Sequence, residues 1–296
     1  MRRLNIYLRS AIFACLPMLM FALSGCAFRS HVAVWASKPL IYNAIDAIMS
    51  ETDISIAKTA MESNLKLLEG VIRMNPDDSD LLVQAARGYT GYAMMFLEDE
   101  EPQRATVIYD RAFQYGLRAL SLHYEILNDE TISFKDFSNA VDRLKKKDID
   151  AAYWTATAWA SKINLSKSSA QSIVELPRAL LLMEWVAEQD ENYFYSAPLW
   201  FLGVYYSSTP PLFGGNSETG NKYFQQALDR DGEFFLYGKL MYAKSYAVQT
   251  FDRELYEETL KEIISSQTRE PAELRLLNAV AKQKAEVLLQ QVDEVF

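Results

Sequence analysis

The sequence predicts an all-α protein, an α-solenoid of about 10–13 helices stacked in pairs. Three observations predict it. Apolar residues recur at steps of three and four along most of the 296 residues. Turn and cap residues interrupt that pattern at intervals of roughly a dozen or two dozen residues. No segment sustains the period-two alternation of β-branched residues that a strand requires.

Each element follows in order. Pro39 has the look of a first-turn proline and opens a helix to about Ser50. A second helix runs from Asp53 to Met74, with Met61, Leu65, Leu68 and Ile72 on one face, and Asn75-Pro76-Asp77-Asp78 stops it. Ser79 or Asp80 caps the next, whose stripe is Leu82, Ala86, Tyr89, Ala93 and Phe96. The acidic run Glu98–Glu101 ends it and suits the positive end of a following helix that starts at Pro102 and reaches about Leu127. A short helix around Phe134–Leu144 precedes the basic run Lys145–Lys147. Further helices are expected at Asp148–Leu165, Pro177–Glu188, Ala197–Ser207, Glu218–Asp229, Phe234–Thr250, Arg253–Ser265 and Pro271–Phe296.

The first 26 residues carry a different message. Arg2, Arg3 and Arg9 precede an apolar run that ends at Leu23-Ser24-Gly25-Cys26. A basic start, an apolar middle and small residues at the end describe a secretory signal peptide. The competing reading is a membrane-spanning helix over Ile6–Leu23, but that run is near the lower length limit and Pro17 interrupts it. Leu-Ser-Gly-Cys resembles the lipobox of bacterial lipoproteins. That resemblance implies removal of residues 1–25 and acylation of Cys26, and the rest then reads as a tether over 26–38 and, from its helical pattern, a single helical domain over 39–296. Buried acyl chains contribute about 0.8 kcal/mol per methylene, so several on one Cys hold a protein firmly at a membrane. Ala27 stands where inner-membrane retention signals carry Asp, which by the same resemblance implies the periplasmic leaflet of the outer membrane.

Composition narrows the chemistry. Formal net charge is −9, and residues 1–25 hold three arginines and no acid, so the remainder stands near −12. Such a surface repels phosphate and argues against nucleic acid as a partner. The two cysteines are Cys15 and Cys26, which leaves a processed chain with no disulfide. His31 and His123 are the only histidines. That inventory leaves no His-built metal site and no Ser-His-Asp triad. No carboxylate pair has an isolated apolar setting that would tune it for acid–base work. No catalytic residue, metal or cofactor is expected, and the chain reads as a non-enzyme.

Several segments match tetratricopeptide helix pairs. Leu199, Leu202, Gly203 and Tyr206 fit a first helix, and Phe224 and Ala227 the second. Tyr242-Ala243 and Tyr246, with Leu260 and Ile263, fit a weaker pair. Leu82, Ala85, Ala86 and Tyr89, followed by Tyr115, Leu117 and Ala119, fit another. Beyond these, longer segments carry a resemblance to one family: Asn64-Leu65-Lys66-Leu67-Leu68-Glu69-Gly70, Gly88-Tyr89-Thr90-Gly91-Tyr92-Ala93, Glu98–Pro102, Tyr115–Leu120, Tyr153-Trp154, Leu202–Tyr206, Pro210–Gly215 and Glu273–Asn278. In order and spacing, over about residues 60–296, the chain resembles the T component of tripartite ATP-independent periplasmic (TRAP) transporters. The resemblance implies a lipoprotein that assembles as a homotrimer and docks a periplasmic solute-binding protein, the P component. It supplies no catalytic residue. The region Ala33–Ala57 matches none of these segments. A scaffold lipoprotein in outer-membrane or cell-envelope assembly is the alternative reading of the same repeats.

Residues that could touch a ligand or partner are Tyr89, Tyr92, Tyr153, Trp154, Trp159, Tyr205 and Tyr206, which fall on helices expected to line the array. Aromatic walls with hydroxyls suit an amphipathic solute, whereas aromatics at helical spacing also interlock helices as core. Both readings stay open. In the loop Thr209–Asn216, Leu212 and Phe213 form either a docking tip or a plug folded back on the array. The runs Glu98–Glu101 and Lys145–Lys147 read either as partner contacts or as solvated helix ends.

Overall fold

A computed structural model describes residues 26–129, 131–166, 170–267 and 270–296. Residues 1–25, expected from the sequence as a signal peptide, lie outside the described residues. All regular structure among them is helical, as the periodicity predicts. The α-helices are α1 (Cys26–Met49), α2 (Ile54–Met74), α3 (Ser79–Phe96), α4 (Pro102–Ser121), α5 (Phe134–Val141), α6 (Ile149–Leu165), α7 (Ala170–Gln189), α8 (Tyr193–Ser208), α9 (Ser217–Asp231), α10 (Leu236–Tyr242), α11 (Arg253–Ser265), α12 (Arg275–Gln290) and α13 (Val292–Val295). A π-helical turn over Ala243–Ala247 continues α10, a local insertion of one residue into the helical ladder. No helix among the described residues is long and apolar enough to cross a membrane.

Helix starts are set by side-chain oxygens that accept the first free amides. Asp53 accepts from the amides of Ser55 (2.9 Å) and Ile56 (3.1 Å), Asn216 from Thr219 (2.9 Å) and Asp252 from Leu255 (2.9 Å). Asp78, one residue before the expected pair, caps α3 through the amide of Leu81. Pro102 occupies the first turn of α4, where its missing N–H is no loss.

Two prolines depart from expectation. Pro39 lies inside α1 and Pro177 inside α7. Neither opens a helix. Proline leaves one carbonyl of the preceding turn without its amide, but its fixed φ is itself helical. In α1 the helix is held across that point by packing. Val34 and Ile41 are buried on either side, and Lys38 Nζ pairs with Asp78 (2.8 Å) and Asp80 (2.9 Å) at the start of α3. The segment 26–38, expected as a tether, is helical.

Helix pairs pack as the repeat pattern predicts. Leu199, Leu202, Phe224 and Ala227 are fully buried between α8 and α9, and Leu260 and Ile263 in α11 face the α10 segment. The α8–α9 crossing is close because Gly203 has no side chain. A Cβ there would sit 2.8 Å from three atoms of the Phe224 ring. Gly116 plays the same part between α4 and α6, where a Cβ would approach Thr155 Oγ1 to 2.3 Å. The α3–α4, α4–α6 and α6–α7 neighbours extend this stack through the middle of the chain.

The two ends of the array meet. α12 packs on α1 and α2. Lys284 Nζ donates to Met94 O (2.9 Å) and pairs with Asp99, and Lys244 Nζ reaches the same carboxylate at 2.9 Å. Tyr237 OH donates to Met94 O at 3.2 Å. Inside this closure Asn278 is buried, accepting from the Leu236 amide (3.1 Å) and donating to Phe234 O (2.7 Å). Two residues of the acidic run therefore serve the fold, while Glu100 and Glu101 are exposed. Glu98 accepts from the buried Tyr109 hydroxyl (2.5 Å), and Asp99 joins the ends.

Candidate functional site

An apolar cleft lies where the ends meet. Its cavity volume is only about 70 Å³, so it is narrow. α1 contributes Ile41, Ile45 and Ile48, one helical face at steps of four and three. α2 contributes Met61, Leu65 and Leu68 with the same spacing, and α3 adds Gly88, Gly91, Met94 and Met95. Trp154 of α6, Phe194 of α8 and Leu277 of α12 complete the wall. The polar lining is Asn64, Gln84 and Arg87.

Arg87 is the single charged group of this lining. Its guanidinium carbon lies 5.8 Å from the Trp154 ring centre and 5.6 Å from that of Phe194, within range of cation–π attraction. No carboxylate among the described residues lies within ion-pair distance of it. The acid that most clearly feels its charge is Glu273. The Tyr195 hydroxyl, donating to Glu273 at 2.7 Å, holds that carboxyl below its ordinary range, and Arg87 adds a smaller pull.

Phe194 reaches Arg87 through an unusual piece of backbone. Phe194, Tyr195 and Ser196 have φ of 43°, 59° and 55°, three successive left-handed residues without a glycine. Each such residue costs on the order of 1 kcal/mol or more, so the surroundings must impose the conformation. Ser196 Oγ donates to Asp231 (2.5 Å), Trp200 Nε1 donates to Tyr195 O (3.1 Å), and the Tyr195 ring stacks on Phe235 at 6.2 Å. The right-handed part of α8 begins at Ala197, where the sequence places it.

The aromatic residues singled out from the sequence separate into groups. Trp154 alone among them lines the cleft. Tyr153 is buried beside it, its ring 5.0 Å from Tyr193, and burial pushes its hydroxyl up to about 12. Tyr89 donates to Glu69 (2.7 Å) and stacks on Tyr115, while Tyr92 donates to Glu62, and burial together with that bond pushes it to about 12. Trp159 Nε1 donates to Glu175 (2.8 Å) and its ring packs on Phe113. Tyr206 donates to Glu184 (3.0 Å) and Tyr205 more weakly to Phe213 O (3.4 Å). Leu212 is 87 % and Phe213 46 % exposed, so the loop tip points outward and does not plug the array. Lys145, Lys146 and Lys147 are exposed.

Arg87, Phe194 and the α1 isoleucines escaped the sequence reading. Arg87 sits one residue before a segment that drew attention for its glycines and tyrosines. That no carboxylate among the described residues reaches ion-pair distance of it is a property of the assembled helices. No group of three or more His, Cys, Asp or Glu among the described residues is placed to hold a metal ion.

No curated protein matches the chain. A family model described as "TRAP transporter T-component" matches residues 50–296, which takes in α2 to α13 and leaves α1 outside. With that match spanning most of its length, and with the helix pairs closed as described, the chain belongs to the TRAP transporter T-component family.

Proposed function

We propose that this chain is a non-enzymatic accessory lipoprotein of a TRAP transport system, which docks a periplasmic solute-binding protein and holds or passes its ligand. Membership of the family makes it a transport accessory component. The observation that carries the finer reading is the cleft. A narrow apolar space with one cation and two amides is suited to receiving a small solute. The exposed Leu212 and Phe213 offer an apolar tip for the solute-binding protein. Acyl chains on Cys26 anchor the body to the periplasmic leaflet of the outer membrane, and three copies assemble together.

Two measurements test this reading. Capture of the chain from its native envelope recovers a periplasmic solute-binding protein, and Leu212→Asp with Phe213→Asp reduces that recovery. Cys26→Ser moves the protein from the membrane fraction to the soluble periplasm with its helical circular dichroism unchanged. Absence of any solute-binding protein from the capture overturns the docking role. Membrane retention of Cys26→Ser overturns the lipid anchor.

A further inference from the structure

We infer that the cleft is a binding site for an aliphatic monocarboxylate, with Arg87 as the group that receives the carboxylate. The inference rests on the reading that the chain holds a ligand, and it names that ligand's chemistry. A guanidinium in an apolar setting ordinarily faces an acid, because an unpaired charge there is unfavourable. Arg87 faces the Trp154 and Phe194 rings instead, with no carboxylate among the described residues at ion-pair distance. The rings stabilise the cation by cation–π attraction but accept none of its N–H groups as an acid would, so an anion can still be received. A planar fork of donors matches a carboxylate at two points.

The remaining lining sets the rest of the ligand. Ile45, Met61, Leu65 and Met95 give a wall with no hydrogen-bond donor, which favours a hydrocarbon. The small cavity favours a slender ligand over a bulky one. The polar lining holds no second cation, only the neutral amides of Asn64 and Gln84. A dicarboxylate would therefore bury its second charge without a partner, so the site selects against it. One wall, formed by Ile41, Ile45 and Ile48, comes from α1, which lies outside the family match.

The test is calorimetric titration of the intact lipidated protein in nanodiscs, with empty nanodiscs as baseline, using octanoate, octanamide and succinate. Octanoate binds, and octanamide and succinate bind at least about tenfold more weakly, a difference of about 1.4 kcal/mol. Arg87→Gln lowers octanoate affinity at least about tenfold, and Arg87→Lys recovers part of it. Gly91→Leu, which places a side chain in the cleft, abolishes octanoate binding with helical circular dichroism retained, and serves should Arg87→Gln fail to fold. Equal affinity for octanoate and octanamide, binding unchanged in Gly91→Leu, or no octanoate binding overturns the inference. Capture of the solute-binding protein, run in parallel, separates the two claims. Capture without octanoate binding sinks the site and leaves the docking role, whereas octanoate binding without capture does the reverse.

Discussion

Two helix crossings in this molecule are built around glycine and end differently. At α8–α9, Gly203 faces the Phe224 ring, which fills the space completely and is itself fully buried. At α2–α3, Gly91 faces the ends of Met61 and Met95, which lie 3.5 and 3.6 Å from where a Cβ would sit, and the space it leaves is part of the cleft. A rigid, flat side chain opposite a glycine seals a seam, because its shape fills the gap in one rotamer. Slender, flexible ones opposite a glycine leave room that neighbouring elements then wall off. The same small residue thus makes a structural joint in one half and a receptacle in the other.

Breaking the sealed joint gives the largest effect. Gly203→Leu overpacks Phe224 and lowers stability by about 1–3 kcal/mol, read as a lower urea midpoint. An unchanged midpoint would show that the joint yields. The closure that frames the receptacle is weaker. Asp99→Asn removes the carboxylate shared by Lys244 and Lys284, which is partly exposed, and lowers stability by about 1 kcal/mol at neutral pH. Burial raises the Asp99 carboxyl, but the two ammonium groups outweigh it and hold it below its ordinary range. A carboxyl lowered on folding contributes fully above its unfolded value, about 3.9, and loses that contribution as pH falls through the lower folded value. The gap between parent and Asp99→Asn midpoints accordingly closes below about pH 4. A gap that is the same at pH 3 and pH 7 would assign the effect to packing. The smallest effect has the opposite sign. A Cβ at Gly91 would meet Met61 and Met95 at 3.5 and 3.6 Å, ordinary contact distances. Gly91→Ala therefore stabilises α3 by about 0.5–1 kcal/mol while narrowing the cleft. Destabilisation there would show that the cleft tolerates no added atom.

How much of this was legible in the chain depended on whether a signal was local. α11 starts and stops where expected, at Arg253 and Ser265, since Asp252 caps it and the apolar period of Tyr256, Leu260 and Ile263 is unbroken. The α8–α9 pair was legible for the same reason, down to Gly203 and Phe224. Pro39 and Pro177 misled because a proline's local preference for a first turn was overridden by packing around the continuing helix. The left-handed run Phe194–Ser196 has no glycine or asparagine to announce it, since it is imposed by Asp231, Glu273 and Phe235 from elsewhere in the chain. The cleft was legible only through Trp154. Its cation and its isoleucine wall acquire meaning from which helices end up facing one another.

The meeting of α12 with the first helices has a consequence for how many units can lie between them. In an open stack each unit touches only its neighbours, so a unit can be gained or lost at an end with little disturbance. Here Lys284 and Asp99, far apart in the chain, must arrive at one point. A duplicated or deleted helix pair between them would carry them past each other, so the number of units between these two residues is dictated by geometry.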